Sequence, residues 1–586
     1  MRFRTCGDSG VLVELADLDE TLRVFATLRS SKAAGIPGSN ALDAVTQLIP
    51  AARTILISFD PLLASRADII AAVRALDVST DVCRRSRTVE IPVIYDGEDL
   101  ADIAQLLGVS VPQVIARHCA HAWSVAFVGF APGFAYLTGG DEIFDVPRRK
   151  VPRLSVPAGA VGLAGTFSGV YPRVSSGGWQ LLGHTEKTMW DEHADPPALL
   201  QPGDAVRFTP ARERVVAGTA SCLSDSGESD KRRGPDSSIM ATTALEATRP
   251  GLLTTFQDDG RCAADMGVTG SGAADPRFSH LANALVGNPT DVPVLEITGG
   301  GVRFTAHGDM VVAVAGAPAP ITIIGKTTWN SGEGAQRNAG NQSHASERTV
   351  VIRQEAMLLR DGEVIEIGVP TSGLRDYLAV RGGFDVARSL GSAATDTMSG
   401  IGPKPVAARQ LLPVLSPTGR HPSTMRGPRP NGGHGNSIGL PEPWPEHLPK
   451  SGDITELHVR LGPRDDWFTA TGISDFFDQI WTVTAQSNRV GLRLQGEHSL
   501  ERRDATELAS EATLPGSIEV PTSGQPVIFL RDQPVTGGYP VIAVLTSESL
   551  ILAGQLPPGA KIRFRMSDSP ESDKQNTQSQ EHREAR

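Results

Sequence analysis

Two stretches far apart in the chain are written in the same order. "SVPAGAVGLAGTFSGVYPRVSSGGWQLLGHT" (155–185) and "EVPTSGQPVIFLRDQPVTGGYPVIAV" (519–544) each carry Val-Pro, a glycine, then Gly-x-Tyr-Pro. Each also leads to a similar ending, "LLQPGDAVRF" (199–208) and "GQLPPGAKIRF" (554–564). A repeat limits the architecture before any single motif does, because one supersecondary unit must be built twice. In Gly-x-Tyr-Pro, glycine supplies a permissive dihedral, proline stops strand pairing, and tyrosine packs its ring while its hydroxyl finds a partner. The motif therefore predicts a strand corner, and its recurrence predicts one barrel-like unit per half, duplicated and diverged. Chance recurrence of turn residues is the alternative, since order and endings agree but spacing differs.

At 586 residues the chain is too long for one hydrophobic core, so several domains are expected. Its 61 glycines and 42 prolines fall between short apolar runs, which favours a mainly β protein with α+β parts. A net charge of −11 argues against a nucleic-acid binder. The five cysteines (Cys6, Cys83, Cys119, Cys222, Cys262) are scattered and never paired as CxxC, so neither a disulfide framework nor a cysteine zinc site is expected. No run approaches the roughly 18 to 20 apolar residues that span a bilayer, and "MRFRTCGDSGVLVEL" has no signal-type core. No membrane contact and a cytoplasmic location are the expectation.

Along the chain, residues 1–85 read as a small α+β domain, and 86–215 as a strand, two helices and glycine-punctuated strands. In this stretch Asp99 is placed to cap the first helix, and Ser110 with Pro112 to start the second. Residues 216–244 are polar and short of aromatics, a linker. Met240 inside it suggests a relic initiator and a fusion of two proteins. A first β domain (245–415), a linker or insertion (416–452), a second β domain (453–566) and a disordered tail (567–586) complete the division. A further surface insertion is expected over 330–348.

Several motifs could carry chemistry. "FVGFAPGFAYL" places Phe130, Phe134 and Tyr136 on a loop of small residues, equally suited to a pocket wall or a core-sealing loop. Arg148, Arg149, Lys150 and Arg153 could hold carboxylate or phosphate, although such clusters are more often a solvated strand edge. His118 reads as a satisfied structural residue, and "VTGSGAAD" could present backbone N–H groups around Ser271 to an anion. "PITIIGKTT" is not a P-loop, because Pro320 stands where glycine is required. No HExxH occurs, and no nucleophile elbow and no metal ligands are assigned.

Beyond these readings the chain resembles a known family. "GDSGVLVEL", "GFAPGFAYL", "VPRRKVPRLSVPAGAV" and "GGWQLLG" in residues 1–210 are similar to allophanate hydrolase subunit 1, also called the B subunit of 5-oxoprolinase. "RPGLLTTFQDDGR", "GVTGSGAAD", "LGSAATD", "QSNRVGLRL" and "LPGSIEVPTSGQPVIFLRDQPVTGGYP" in residues 245–565 are similar to allophanate hydrolase subunit 2, the C subunit of 5-oxoprolinase, a biotin-dependent carboxyltransferase-like family. The resemblance implies cyclophilin-like β-barrel domains in both halves, paired with each other, with a higher oligomer allowed. It implies ATP-dependent opening of 5-oxoproline to glutamate together with a separate A subunit, using ATP and Mg2+ bound with or by that partner. No biotin attachment site, ATP-grasp region or amidase signature is present.

A lactam carbonyl is a poor electrophile, so phosphorylating its oxygen would couple ring opening to ATP hydrolysis. Such a site needs cations, oriented donors and exclusion of water. Matching positions nominate Asp258, Arg261 and Asp275 as catalytic. They nominate Phe130, Phe134, Tyr136, Arg148, Arg149, Arg153, Ser271, Asn488, Arg489 and Tyr539 for substrate or anion binding. The alternatives are a urea carboxylase-type module on a small amide, dependent on a biotinylated carrier, and a non-catalytic regulator of a sensor histidine kinase. Departures from the family pattern are His184 where it usually has Arg, "TGSG" where it has a proline-serine pair, and the long insertions.

Overall fold

The computed structural model describes residues 1–34, 41–78, 87–149, 151–212, 243–325, 347–415, 439–504, 506 and 508–567. Met240, Lys150, most of the 216–244 linker, the 330–348 insertion up to residue 346, residues 416–438 and the tail from 568 lie outside them.

The N-terminal domain is a four-stranded sheet ordered Arg2–Cys6, Gly10–Glu14, Thr54–Phe59, Val45–Pro50, with helices Leu18–Ala34 and Arg66–Arg74. Alternate residues Val11, Val13, Ile55 and Ile57 face Phe25, Leu28, Ile69 and Val73 of the helices. The opposite face carries Leu12, Ile49 and Leu56, which pack on Ala512, Leu514, Val535, Val541 and Val544 from the far end of the chain. Thr54–Phe59 is consequently buried at every position, as a strand covered on both faces must be.

The duplication is visible strand by strand in the pairing. In the first half the sheet runs Gln180–His184, Ala160–Ala164, Phe167–Val170, Ala135–Thr138, Trp123–Val128, Ala205–Pro210, Thr88–Val93. In the second, a closed barrel runs Val541–Leu545, Ser517–Glu519, Val527–Phe529, Gly491–Gln495, Trp481–Val483, Lys561–Met566, Ile454–Leu461. In both, the first strand pairs parallel with the last. The first-half sheet closes through a reciprocal Ile94–His184 bridge of 2.8 and 2.9 Å. Core details repeat too. Trp123 Nε1 donates to the His118 carbonyl (3.0 Å) and Trp481 Nε1 to the Phe476 carbonyl (3.1 Å). Phe208 stacks on His118 (4.4 Å) as Phe564 does on Phe476 (4.3 Å).

The register of the repeat, however, differs from the one its turn residues predict. Gly159 N–H donates to the Tyr171 carbonyl (2.7 Å) and Gly516 N–H to the Phe529 carbonyl (2.8 Å). Leu514-Pro515-Gly516 is thus the counterpart of Val156-Pro157-Ala158-Gly159, and "VIFLRD" of "GVYPRV". "TGGYP" matches "SGGWQ": Gly537 and Gly177 both end short strands that precede the same barrel strand. Turn residues recur wherever strands bend, so composition finds the unit and misplaces its corners.

His118 is structural, as expected. Its ring is buried, Nδ1 lies 2.7 Å from the Tyr95 hydroxyl and Nε2 3.0 Å from Ser168 Oγ, and burial pushes its pKa down to about 3. Its counterpart in the other barrel is a phenylalanine. Ser110 forms a capping box with Gln113, its N–H donating to Oε1 at 2.9 Å. Asp99 stands at its helix N-cap, but its side chain makes no cap bond.

Residues 243–325 and 347–415 form a sandwich of a six-stranded and a five-stranded sheet with a shared core that includes Phe256, Leu295, Phe304, Ile365 and Leu378. Of the expected 416–452 linker, residues 439–452 are described; most are exposed, but Leu448 and Pro449 are buried. Trp444 joins the sandwich core, and Gln354 and Glu442 exchange backbone hydrogen bonds of 2.9 and 2.8 Å. Gly325 ends a strand, Ile321–Gly325, which agrees with the rejection of a P-loop.

Asp376 lies fully buried in strand Arg375–Val380 with no hydrogen-bond partner on either carboxyl oxygen, and burial pushes its pKa well up. The folded protein therefore holds a proton that the unfolded chain releases above its ordinary pKa of about 3.9. Stability falls as pH rises from there toward the folded value, by about 1.4 kcal/mol per unit. Asp376→Asn is expected to remove that slope, measured by denaturant unfolding at pH 5 and pH 7. An unchanged pH dependence would refute the assignment.

Candidate functional site

The two halves meet over an aromatic surface on the outside of the first barrel. Val161 and Leu163 enter the barrel core while Gly162 between them faces outward onto Trp179. On this outer face Phe134 makes edge-to-face contacts with Phe130 (5.4 Å), Tyr136 (5.1 Å), Tyr171 (5.2 Å) and Trp179 (5.2 Å). Phe134 and Tyr136 are buried, so for these two the core-sealing reading holds. Burial pushes the Tyr136 hydroxyl pKa up against the pull of Ser510, Arg148 and Thr536.

Phe130, at the rim, is in the left-handed region (φ 64°), and its N–H donates to Thr536 Oγ1 at 2.8 Å. Gly129 touches the same threonine so closely that a Cβ would lie 2.6 Å from Oγ1. Gly133 N–H donates to the Met266 carbonyl (3.0 Å), and a Cβ on Gly267 would lie 2.5 Å from the Ala131 carbonyl. The glycines of "GFAPGF" thus allow the loop to wedge between two segments of the second half.

Beneath that wedge the second half concentrates buried charge. Arg489, 1% exposed, grips Asp532 with Nε and Nη2 at 3.0 Å, donates to the Gly272 carbonyl at 2.7 Å and pairs with Glu296. Glu296 also accepts from the Ala274 N–H (2.8 Å) and the Tyr377 hydroxyl (2.9 Å). Ser271 Oγ donates to Asp532, as does Thr397 Oγ1 at 2.6 Å. Burial raises the pKa of Glu296 and Asp532, but it is outweighed by Arg489 with Arg375 and the Ala274 N–H at Glu296, and by Arg489 with the Ser271 and Thr397 hydroxyls at Asp532, which hold both below the ordinary range.

Asp275 accepts from Arg277 (3.1 Å) and Gln555 (3.2 Å), and Asp258 from Ser392 Oγ (2.6 Å) and the Ala393 N–H (2.8 Å). Arg261 donates to the Ala394 carbonyl. Asp258, Arg261, Ser271, Asp275 and Arg489 therefore belong to one buried polar region, in which most carboxylates are already saturated by protein donors.

Backbone strain marks the same place. Phe130, Ser271 (φ 54°) and Leu390 (φ 54°) are three of the four non-glycine residues with positive φ among the described residues. Leu390 packs with Trp190 and Met266 beside Ile401. Residues held in such conformations cluster at functional sites.

Other candidates lie elsewhere. Arg149 and Arg153 both bind Asp99 (2.5 and 2.8 Å), and Arg153 also binds Glu98 (3.0 Å), so their charge is already matched by acids of their own barrel. That explains the missing helix cap: Asp99 also accepts the Leu181 N–H (2.7 Å), and burial, which raises its pKa, is outweighed by Arg153, Leu181 and Arg149. Asn488 is exposed and folds a turn, accepting from the Val490 N–H (2.9 Å). His184 pairs with Asp96 at 2.9 Å.

Tyr539 is 42% exposed beneath the Arg502 guanidinium, and Arg148 Nη1 lies 3.5 Å from where a Cβ on Gly538 would sit. Below them Glu519 is buried, its Oε1 without a partner, and burial pushes its carboxyl up to about 8, which Arg502 only partly offsets. Sequence reasoning missed Glu296, Asp396, Glu519 and Asp532. Asp532 stands in the quoted "FLRDQP", but nothing local distinguishes it until the fold delivers Arg489 to it.

A duplicated-barrel protein whose halves meet at a strained aromatic loop, beside a buried charge cluster of the second half, is the class this geometry defines. Residues 266–566 match the family described as carboxyltransferase domain, subdomain A and B, and residues 1–200 match carboxyltransferase domain, subdomain C and D. The chain belongs to this carboxyltransferase family, with both parts fused in one polypeptide. It is 50% identical over 133 residues to the B subunit of 5-oxoprolinase from Escherichia coli O157:H7, covering 22% of this chain and 61% of that protein. It is 30% identical over 321 residues to the C subunit of 5-oxoprolinase from Escherichia coli (strain K12), covering 55% of this chain and 90% of that one. The crystal structure of TTHA0988 superposes with a TM-score of 0.73 at 29% identity, covering 95% of this chain and all of that one.

Proposed function

We propose that the chain acts as the joined B and C subunits of an ATP-dependent 5-oxoprolinase, opening the lactam of 5-oxoproline to glutamate with a separate A subunit. The observation that carries this reading is that stretches similar to the B and C subunits occupy successive halves of one chain, and that the family's motifs from both halves meet at one seam. In this scheme the aromatic wedge that follows Gly129 is the water-excluding wall: Phe130 at its rim, Phe134 and Tyr136 behind it. The Arg489–Asp532–Glu296 cluster holds Ser271 and the Gly272 backbone in place beneath.

Among the described residues no three His, Cys, Asp or Glu side chains come together as a metal site. In this scheme Mg2+ and ATP are bound with or by the partner. ATP supplies the driving force for opening an unreactive amide, and the residues of this chain bind and orient the substrate and exclude water.

Mixing the purified chain with an A subunit, ATP, Mg2+ and 5-oxoproline is expected to release glutamate and phosphate in equal amounts, and omitting either protein should abolish both. Phosphate release that does not depend on 5-oxoproline, but does depend on urea or allophanate, would replace this substrate with another small amide.

A further inference from the structure

A cleft of about 260 Å³ opens where the N-terminal domain meets the second half, and none of its walls belongs to the aromatic loop or the Arg489 cluster. One wall is helix Leu18–Ala34, which supplies Arg29 and Lys32, three positions apart and so on one face, with Gln47 from strand Val45–Pro50 beside it. The other wall is the short turn Ala264–Met266, which supplies Asp265, with Cys262 just before it. Phe25, Leu48 and Ala264 give the cleft an apolar lining. Packing holds the walls in place: Ala264 lies in the apolar contact with Leu12, Ile49 and Leu56, and the Met266 carbonyl, next to Asp265, accepts from the Gly133 N–H at 3.0 Å.

Charges of both signs line this cleft without meeting. Among the described residues no ion pair or side-chain hydrogen bond engages Arg29, Lys32 or Asp265. Elsewhere along the same junction opposite charges do pair, Arg4 with Asp466 and Arg464 with Glu14 at 2.9 Å each. Here the two walls hold the cations and the acid apart, which leaves a gap that a molecule carrying both signs fills. Two cations on one side and one acid on the other call for two carboxylates and one ammonium. Arg29 offers the planar fork that carboxylates match best, and the apolar lining suits a short methylene chain. Sites for drug-sized ligands measure roughly 300–1,000 Å³, so this smaller cleft takes an amino acid and excludes a nucleotide.

We infer that this cleft is a binding site for an amino acid that carries a second carboxylate, the class of glutamate and aspartate. The carboxylates lie against Arg29 and Lys32 and the ammonium against Asp265. The walls come from different halves, so the site exists only while the halves are joined. It stands on the cleft and not on the proposed reaction, although glutamate, the product of that reaction, belongs to the class. Arg29 and Asp265 are exposed and lie outside the aromatic loop and the buried cluster, so replacing either leaves the fold intact.

The test is isothermal titration calorimetry of the full chain with glutamate, with glutamine (no side-chain carboxylate) and with glutarate (no ammonium). Exposed charge pairs contribute modestly, so the wild type should prefer glutamate to each of the others by at least about threefold. Arg29→Gln should remove most of the preference over glutamine, and Asp265→Asn most of the preference over glutarate. The exposed thiol of Cys262 gives a second readout at the cleft itself. Saturating glutamate should protect it from alkylation by iodoacetamide, followed by mass spectrometry of the peptide that carries it. Equal affinity of the wild type for the three ligands overturns the site, as does the lack of saturable glutamate binding. Glutamate binding that both variants leave unchanged, with Cys262 alkylated at the unliganded rate, puts the amino acid elsewhere on the chain and equally overturns the cleft as its receptor. A failed 5-oxoprolinase assay with the ligand preferences intact removes the proposed reaction and keeps the site.

Discussion

Arg489→Ala is expected to lower the stability of the chain by about 3–5 kcal/mol, the usual result of removing one partner from a buried ionic cluster. The loss is large because two acids would remain. Asp532 and Glu296 are buried and face Arg489 from different domains, Asp532 from the C-terminal barrel and Glu296 from strand Val294–Thr298 of the sandwich. Without the guanidinium, Asp532 would keep only Ser271 and Thr397 as donors, and Glu296 only Arg375 (3.3 Å), the Ala274 N–H and the Tyr377 hydroxyl. Arg489→Lys should recover little, because one ammonium cannot serve Asp532 in two places, Glu296 and the Gly272 carbonyl together.

The pH dependence gives a second readout. Both acids are held below their ordinary pKa, so the stability they contribute is present above about pH 4 and is lost as pH falls through their folded values. Wild type should weaken in that acid range and Arg489→Ala should lack this part of the slope. A variant within about 1 kcal/mol of wild type, with the slope retained, would show that the cluster does not join the two domains.

Arg464→Ala is expected to separate the two halves once the connection between them is cut. Arg464, on the second half, is bound to Glu511 beside it and to Glu14 of the N-terminal domain at 2.9 Å, and Arg4 reaches Asp466 at 2.9 Å. Around these charges lies the apolar contact of Leu12, Ile49 and Leu56 with Leu514, Val535 and Val544. With a protease site placed within 213–242 and cleaved, wild-type halves should co-elute on size exclusion. Arg464→Ala leaves the buried Glu511 uncompensated and Glu14 with Arg4 alone (3.5 Å), which costs about 3 kcal/mol or more, and about a hundredfold or more in the dissociation constant. Wild-type halves that part on cleavage would refute the seam as a stable interface, and variant halves that stay as tightly joined would refute the role of Arg464.

Much of this architecture is legible in the residues. Alternating apolar positions mark strands such as Thr88–Val93, exposed and buried by turns, and Ser110 with Pro112 marks a helix start. The repeated unit is visible because a duplicated barrel keeps its order of strands and turns. The exact correspondence is not, because Gly-x-Tyr-Pro fits any corner and only the pairing of Gly159 with Tyr171 and of Gly516 with Phe529 shows which corners match.

For the site, the chain by itself determined which residue types could carry chemistry, and it named five that the fold brings into one buried region: Asp258, Arg261, Ser271, Asp275 and Arg489. Only the tertiary structure decided what each is free to do. Arg149 and Arg153 look like open cations until Asp99, some fifty positions away, is placed against them. Glu296 looks like an ordinary strand residue until Arg489, 193 positions away, is placed against it. Secondary structure follows from local dihedral preferences and short-range apolar spacing, which a sequence displays. Whether a charge is matched or left waiting depends on partners hundreds of residues distant, and those are set by packing alone.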